Sequence, residues 1–243
     1  MQINITSKLW WLISPTYKYA EYSKNKLINR GTTQYFLSKA LKKYNKNYFT
    51  FSILICLASQ FLHTMMLRFI CDETFTQYQT TFYYAYIIVV IFTSWVFLLS
   101  RAVEILKAFL DDAIDKLNHK NSNSNLLFGE RLKLSLTSYI ELIINFGTFY
   151  FLIPVSFFKD NHQFTSIIEA IYFSAVTITT IGYGDISPVN WFVQLITIFE
   201  VLTGFTLIVV CFTIYSSLAL SNKPSIPTKK PSKTRKSAKF RKT

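Results

Sequence analysis

The apolar positions are gathered into long uncharged stretches. Between Lys46 and Arg68 lie 21 residues without a charge, rich in Phe, Ile and Leu, and between Glu73 and Arg101 lie 27 more. From Leu134 to Phe158 the only charge is Glu141, and from Ile186 to Asn222 it is Glu200. A helix needs about 20 apolar residues to cross the hydrocarbon core of a bilayer. The pattern predicts four spans, near 48–69, 80–100, 138–158 and 191–219. In lipid the backbone must satisfy its own hydrogen bonds, so unbroken apolar runs of this length predict helices rather than a barrel. A fifth stretch, 164–181, does not suit a span. It is interrupted by Glu169, rich in Thr and followed at once by GYGD. Its length suits a short re-entrant helix plus extended backbone, tolerated at membrane depth only where it lines a cavity.

Two further segments carry helical periodicity. In 33–45, Leu37, Ala40, Leu41 and Tyr44 share one face and Lys39, Lys42 and Lys43 lie on or beside the other. That predicts a basic amphipathic helix on a membrane surface, or one packed in the cytoplasm. Beyond Arg101, the apolar Ile105, Leu106, Phe109, Leu110, Ile114 and Leu117 alternate with Glu104, Lys107 and Asp111. The second span therefore continues as a helix into the cytoplasm.

Composition agrees with a membrane chain. Of 243 residues, 51% are hydrophobic, 17% aromatic and 16% charged, and the mean hydropathy is +0.26. A soluble domain carries about 25% charged residues. The balance excludes a disordered, collagen-like or acidic-linker chain. Three Cys without a pairing pattern exclude a disulfide scaffold, with Cys56 and Cys211 read as buried thiols and Cys71 at a helix end. His63, His119 and His162 lack metal-ligand spacing.

The formal charge of +13 would suit a nucleic-acid partner until it is placed along the chain. Residues 1–49 hold nine Lys/Arg, 101–133 hold six and 222–243 hold nine, whereas the CDETFTQYQT loop is acidic. Basic loops stay in the cytoplasm. Both termini and the 101–133 loop are expected inside, and the 159–190 hairpin outside. The basic N- and C-terminal segments then suit anionic lipid, at about 1 kcal/mol per basic residue, rather than nucleic acid. LWWLI after Lys8 is too short for the apolar region of a signal peptide. The Asn4-Ile-Thr sequon falls on the cytoplasmic side.

The chemistry lies in Thr177-Ile-Thr-Thr-Ile-Gly-Tyr-Gly-Asp185. Glycines alternating with a tyrosine permit positive φ, so successive carbonyls can point to one side. Several copies around an axis would stack those carbonyls into oxygen rings that replace a cation's hydration shell. The helix before them would aim its negative C-terminal end at the same axis.

TITTIGYGD resembles the selectivity-filter signature of potassium channels. The run Glu169-Ala-Ile-Tyr-Phe-Ser-Ala-Val-Thr-Ile-Thr-Thr-Ile-Gly-Tyr-Gly-Asp185 is similar to pore loops of two-pore-domain channels and of single-pore prokaryotic relatives. The resemblance covers 138–220 and implies outer helix, pore helix, filter and inner helix. It implies that Thr180, Ile181, Gly182 and Tyr183 coordinate K⁺, that Gly184 allows the outer turn, and that Asp185 braces the filter with Thr179 and Tyr172 as further support. Many bacterial relatives pair this Asp with a pore-helix Glu. Val176 stands there instead, and the Tyr172 hydroxyl is the substitute expected to hold Asp185. Gly204 resembles the inner-helix hinge glycine, with close packing as the alternative. Phe205, Ile208, Phe212 and Ser216 would share its face and line the cavity below the filter, unless that face meets lipid. Glu200, inside the membrane, is expected to hydrogen-bond the pore-helix region or to sense protons.

The filter sequence occurs once, so a fourfold ring implies a homotetramer. No Arg-rich helix of the voltage-sensing kind is present in the sequence. The expected fold is an all-α membrane protein: four transmembrane helices, one re-entrant pore helix and a selectivity filter, tetrameric around a central pore. Its divisions are a basic region at 1–47, two spans with a cytoplasmic extension at 48–118, a linker at 119–137, the pore domain at 138–220 and a basic, disordered tail at 221–243. The expected function is passive K⁺ conduction across a cell membrane, without catalysis or cofactor. The alternatives are a non-selective cation channel and a non-conducting scaffold or regulatory subunit with a vestigial filter.

Overall fold

A computed structural model describes residues 13–70, 85–90, 92–118 and 126–221. The sequon, the acidic CDETFTQYQT loop with Cys71, His119 and the basic tail fall outside the described residues. Among those described, the chain is helical and contains no strand; Phe158 and Pro188 form one isolated bridge.

The first helix, α1 (Pro15–Asn29), was not legible as a pattern of apolar positions. It starts where Ser14 Oγ accepts from Tyr17 N at 3.1 Å and where Pro15 supplies a preformed φ. The same Ser14 hydroxyl donates to Ser100 O at 2.8 Å, and Thr16 and Ser100 share a hydroxyl contact of 2.8 Å. These buried hydroxyls fasten α1 to the chain 84 residues on.

Helix α2 (Gln34–Ile70) is continuous for 37 residues. At 1.5 Å per residue that is about 56 Å, well beyond the hydrocarbon thickness. The amphipathic segment and the first apolar stretch are thus one helix rather than two. Leu37 is buried while Lys39, Lys42 and Lys43 are exposed, and Lys42 forms an ion pair with Glu130. The face is packed against protein, the second of the two readings given for 33–45.

The second apolar stretch is helical at 85–90, runs through a π-helical segment (Thr93–Leu99), and continues as α3 (Ser100–Leu117). Helix α4 (Phe128–Leu152) begins inside the expected 119–137 linker, which is correspondingly shorter. Charged residues at Glu130, Arg131 and Lys133 hid this start, because an apolar criterion cannot see a helical turn made of polar residues. Glu130 itself caps the helix, accepting from Leu127 N at 3.2 Å. Helix α4 ends at Leu152, short of the expected 158, since Ile153-Pro154 is extended and two single 3₁₀ turns follow.

Helix α5 (Ile167–Ile178) is the short helix expected before GYGD. Then come α6 (Trp191–Phe205), a π-helical segment (Thr206–Cys211) and α7 (Phe212–Ser221), forming one long rod. By length and composition, Gln34–Met65 and Trp191–Leu218 each suffice to cross a membrane.

The core lies between α4 and α5, with α2, α3 and α6 around it. Its centre is aromatic. Tyr150 and Phe173 meet edge to face at 4.9 Å, and Phe158 and Phe164 at 5.1 Å. Gly147 sets the approach of α4 to α5: a Cβ there would lie 2.8 Å from Ile171 Cα. Helix α2 also reaches α5, where Gln60 Oε1 accepts from Ile167 N at 2.7 Å and so satisfies one of its unpaired amides.

Candidate functional site: the GYG segment and its supports

Ser166 begins α5 as its N-cap, and the apolar run that follows makes a twelve-residue helix buried along one side, with Ile168 and Tyr172 exposed. Thr-rich sequence then ends it. Thr179 Oγ1 donates back to Ala175 O at 2.6 Å, and Thr180 takes φ +61°. The next two amides fold over the helix end, with Ile181 N and Gly182 N donating to Val176 O at 3.0 and 3.3 Å. Gly182 and Gly184 adopt φ +57° and +81°, the left-handed region that glycine enters without penalty. A Cβ at either would meet nothing within 4 Å. Close packing within the chain therefore does not account for these two glycines; the backbone conformation does.

Thr179 to Asp185 are exposed, with Ile181 at 56% and Tyr183 at 68%. With Ile168 and Tyr172 of α5, this bare isoleucine and tyrosine make a surface suited to cover by further protein. Tyr172 Oη donates to Asp185 Oδ2 at 3.0 Å, and the Tyr172 and Tyr183 rings stack at 6.5 Å. Val176 is buried at the position discussed for a glutamate.

Glu200 is fully buried in α6. Its two oxygens accept from Ser174 Oγ of α5, at 2.5 Å, and from Tyr150 Oη of α4, at 2.7 Å. Tyr150 also lies 3.3 Å from Thr197 Oγ1. Three helices thus converge on one carboxyl, directly behind the helix that presents the GYG segment.

Gly204 is buried against the end of α5. A Cβ there would stand 2.3 Å from Ile178 Cγ1 and 3.2 Å from Ile178 O. Close approach alone accounts for glycine at this position, and the irregularity in the helix lies just beyond it, at Thr206–Cys211. The four residues expected on its face divide: Phe205 and Phe212 are exposed, whereas Ile208 and Ser216 are half-buried.

A second polar centre was not singled out in the sequence. Arg101 of α3 donates through Nε to Glu141 Oε1 at 2.7 Å, through Nη1 to Glu104 Oε1 at 2.8 Å and through Nη2 to Asn45 Oδ1 at 3.0 Å. Its guanidinium also lies over the Tyr48 ring at 4.5 Å. Its signal was a charge at the edge of each of two apolar stretches, Arg101 after one and Glu141 within another, of opposite sign.

The site thus consists of a short half-buried helix, a glycine-bearing turn of exposed backbone, and a flanking apolar helix on each side. Comparison with known proteins points to one class of protein over this region. Residues 138–220 match the family model described as "Ion channel". The chain is 35% identical over 101 residues to "Two-pore potassium channel 2" of Arabidopsis thaliana, covering 38% of this chain and 21% of the relative. It is 38% identical over 72 residues to "Two pore potassium channel c" of Oryza sativa subsp. japonica, covering 30% of this chain and 15% of the relative. The chain thus spans about a fifth or less of the length of these curated relatives. No solved structure matches it. Over residues 138–220, about a third of its length, the chain is thus similar to this ion-channel family, and in part to curated potassium channels.

Proposed function

We propose that the protein conducts K⁺ passively and selectively across a cell membrane as a homotetramer. The observation that carries this reading is the TITTIGYGD sequence at the C-terminal end of a short half-buried helix, with positive φ at both of its glycines. In the proposed assembly the carbonyls of Thr180, Ile181, Gly182 and Tyr183 and the Thr180 hydroxyl coordinate the ion, replacing its water shell. Four copies are needed because each chain supplies one such segment. The exposed Ile181 and Tyr183 then face neighbouring copies and the pore axis instead of solvent. Asp185, Tyr172 and Thr179 support the segment from behind, and α6–α7 forms the inner helix, with Gly204 packed on the pore helix or bending there. Both termini lie in the cytoplasm, and the basic terminal segments rest on anionic lipid.

Reconstitution into planar bilayers tests this. The expected result is a barium-blockable current whose reversal potential follows the K⁺ gradient and ignores Na⁺. A current that ignores the K⁺/Na⁺ ratio would make the protein a non-selective cation channel. No current at all would leave a membrane scaffold or regulatory subunit.

A further inference from the structure

Away from the GYG segment, α1, α2, α3 and α4 line a half-open cavity of about 440 Å³. That volume is in the range of small-ligand sites. Three polar atoms buried on lining residues have no hydrogen-bond partner: Glu104 Oε2, Tyr44 Oη and Asn45 Nδ2. Glu104 is 3% exposed, so its free oxygen is removed from bulk water. An unsatisfied buried acceptor of this kind is costly, more so when it belongs to a charged group.

The contacts around it are unevenly shared. Arg101 carries one positive charge and is shared by the carboxyls of Glu104 and Glu141, and all three side chains are at most 4% exposed. Arg101 meets both oxygens of Glu141 but only one of Glu104, so Glu104 Oε2 is the carboxylate oxygen of this cluster without a partner, and the wider lining adds Lys24, Lys116 and Arg131. Among the described residues no three His, Cys, Asp or Glu side chains are grouped to chelate a metal ion. The unpartnered oxygen is then better met by a hydrogen-bond donor than by an ion that needs several ligands.

We propose that this cavity binds a primary alkylammonium group. The ammonium donates to Glu104 Oε2 and to the Tyr44 hydroxyl, and a water or an oxygen of the ligand accepts from Asn45 Nδ2. Two further carboxylates at the cavity wall already have partners, Asp111 in Lys107 and Asp112 in Arg131 and Tyr215, so Glu104 is the carboxylate left to meet the amine. Two sources share this chemistry. One is a free diamine of the cytoplasm. The other is a lysine of the chain's own 222–243 stretch, which follows α7, where Tyr215 Oη donates to Asp112 Oδ2 at 2.7 Å.

The test is calorimetric titration of the full chain in lipid nanodiscs with putrescine, at constant ionic strength. Saturable binding at one site per chain is expected, weakened at least tenfold in Glu104→Gln and severalfold in Tyr44→Phe, which leaves the ion pairs intact. Tetramethylammonium, a cation without N–H, should bind at least tenfold more weakly than putrescine. Binding to the unaltered chain assigns the site to a free amine. Binding that emerges only when the nine basic residues of 222–243 are replaced by Gln assigns it to the chain's own lysines. The proposal is overturned if neither protein binds putrescine, if both substitutions leave binding unchanged, or if tetramethylammonium binds equally well. The readout is binding, so it stands apart from whether the protein conducts.

Discussion

Arg101 Nε lies 2.7 Å from Glu141 Oε1, and this contact joins the end of one apolar stretch to the beginning of another 40 residues on. The pair is almost wholly desolvated, with side-chain exposures of 4% and 0%. Removing one partner strands a buried charge, which typically costs about 3–5 kcal/mol. Arg101→Met should therefore lower thermal stability steeply, and Arg101→Met combined with Glu141→Leu should recover part of the loss. A melt of the purified protein in detergent measures both. A loss in the double variant equal to the sum of the two single losses would show that the two side chains act independently.

Glu200 collects hydrogen bonds from Ser174 and Tyr150, on two other helices. Glu200→Leu leaves the buried Ser174 hydroxyl unsatisfied, at about 1–3 kcal/mol, and leaves Tyr150 only its longer contact with Thr197. Glu200→Gln retains an acceptor for one of them and should lose roughly half as much. Chemical denaturation ranks the three proteins. The order wild type, Gln, Leu is expected, and equivalence of Gln and Leu would refute the hydrogen-bond account.

At Gly204 the crowding is specific. Gly204→Ala pushes a methyl group into Ile178 Cγ1, an overpacking worth about 1–3 kcal/mol. Ile178→Ala in the same chain removes the clashing atom and should restore stability in part. A glycine needed for bending would behave otherwise: current through Gly204→Ala would stay reduced whatever stands at 178.

Tyr172→Phe removes only the hydroxyl that reaches Asp185. The fold should survive, since the bond is exposed and worth about 0.5–1.5 kcal/mol. Conduction is where the loss should register, as a faster decline of K⁺ current when K⁺ is lowered on the filter side. Unchanged decay would remove Tyr172 from the support of the segment.

Glu130 closes the first turn of α4. The Lys42 ammonium and the Leu127 N–H hold its carboxyl below the usual carboxylate value. A depressed value means that this cap is in place above the ordinary carboxylate range and is lost as pH falls through the lowered one. Amide protection at 127–131 should drop over that acidic window in the wild type. Glu130→Gln should lack the drop; persistence of the transition would assign it to another group.

Helix over the described parts of the apolar stretches, the short helix before GYGD and the glycine conformations were legible because each depends on local composition. Charge-free runs mark helices, and alternate glycines permit positive φ. The start of α4 was not legible, because Glu130, Arg131 and Lys133 interrupt the apolar signal while continuing the helix. Nor was α1, whose anchor is a set of small hydroxyls on Ser14, Thr16 and Ser100. The tight spots at Gly147 and Gly204 come from interhelical distance, which no single segment encodes. The network around Arg101 is assembled from three separated helices. In sequence it was visible only as two charges in places where apolar residues prevailed.

The buried stripe of the last rod falls at Thr203, Leu207, Cys211 and Tyr215, a step of four residues each time. A regular helix repeats every 3.6, so this stripe would drift by about one residue over that length. The wider turn at Thr206–Cys211 absorbs the surplus. In effect the rod holds one residue too many, stored in a loosened coil. Excising a single residue there would let the helix wind regularly while both of its ends kept their present partners. The bulge is therefore a removable spacer, and the lower half of the rod is phased by counting rather than by its own side chains.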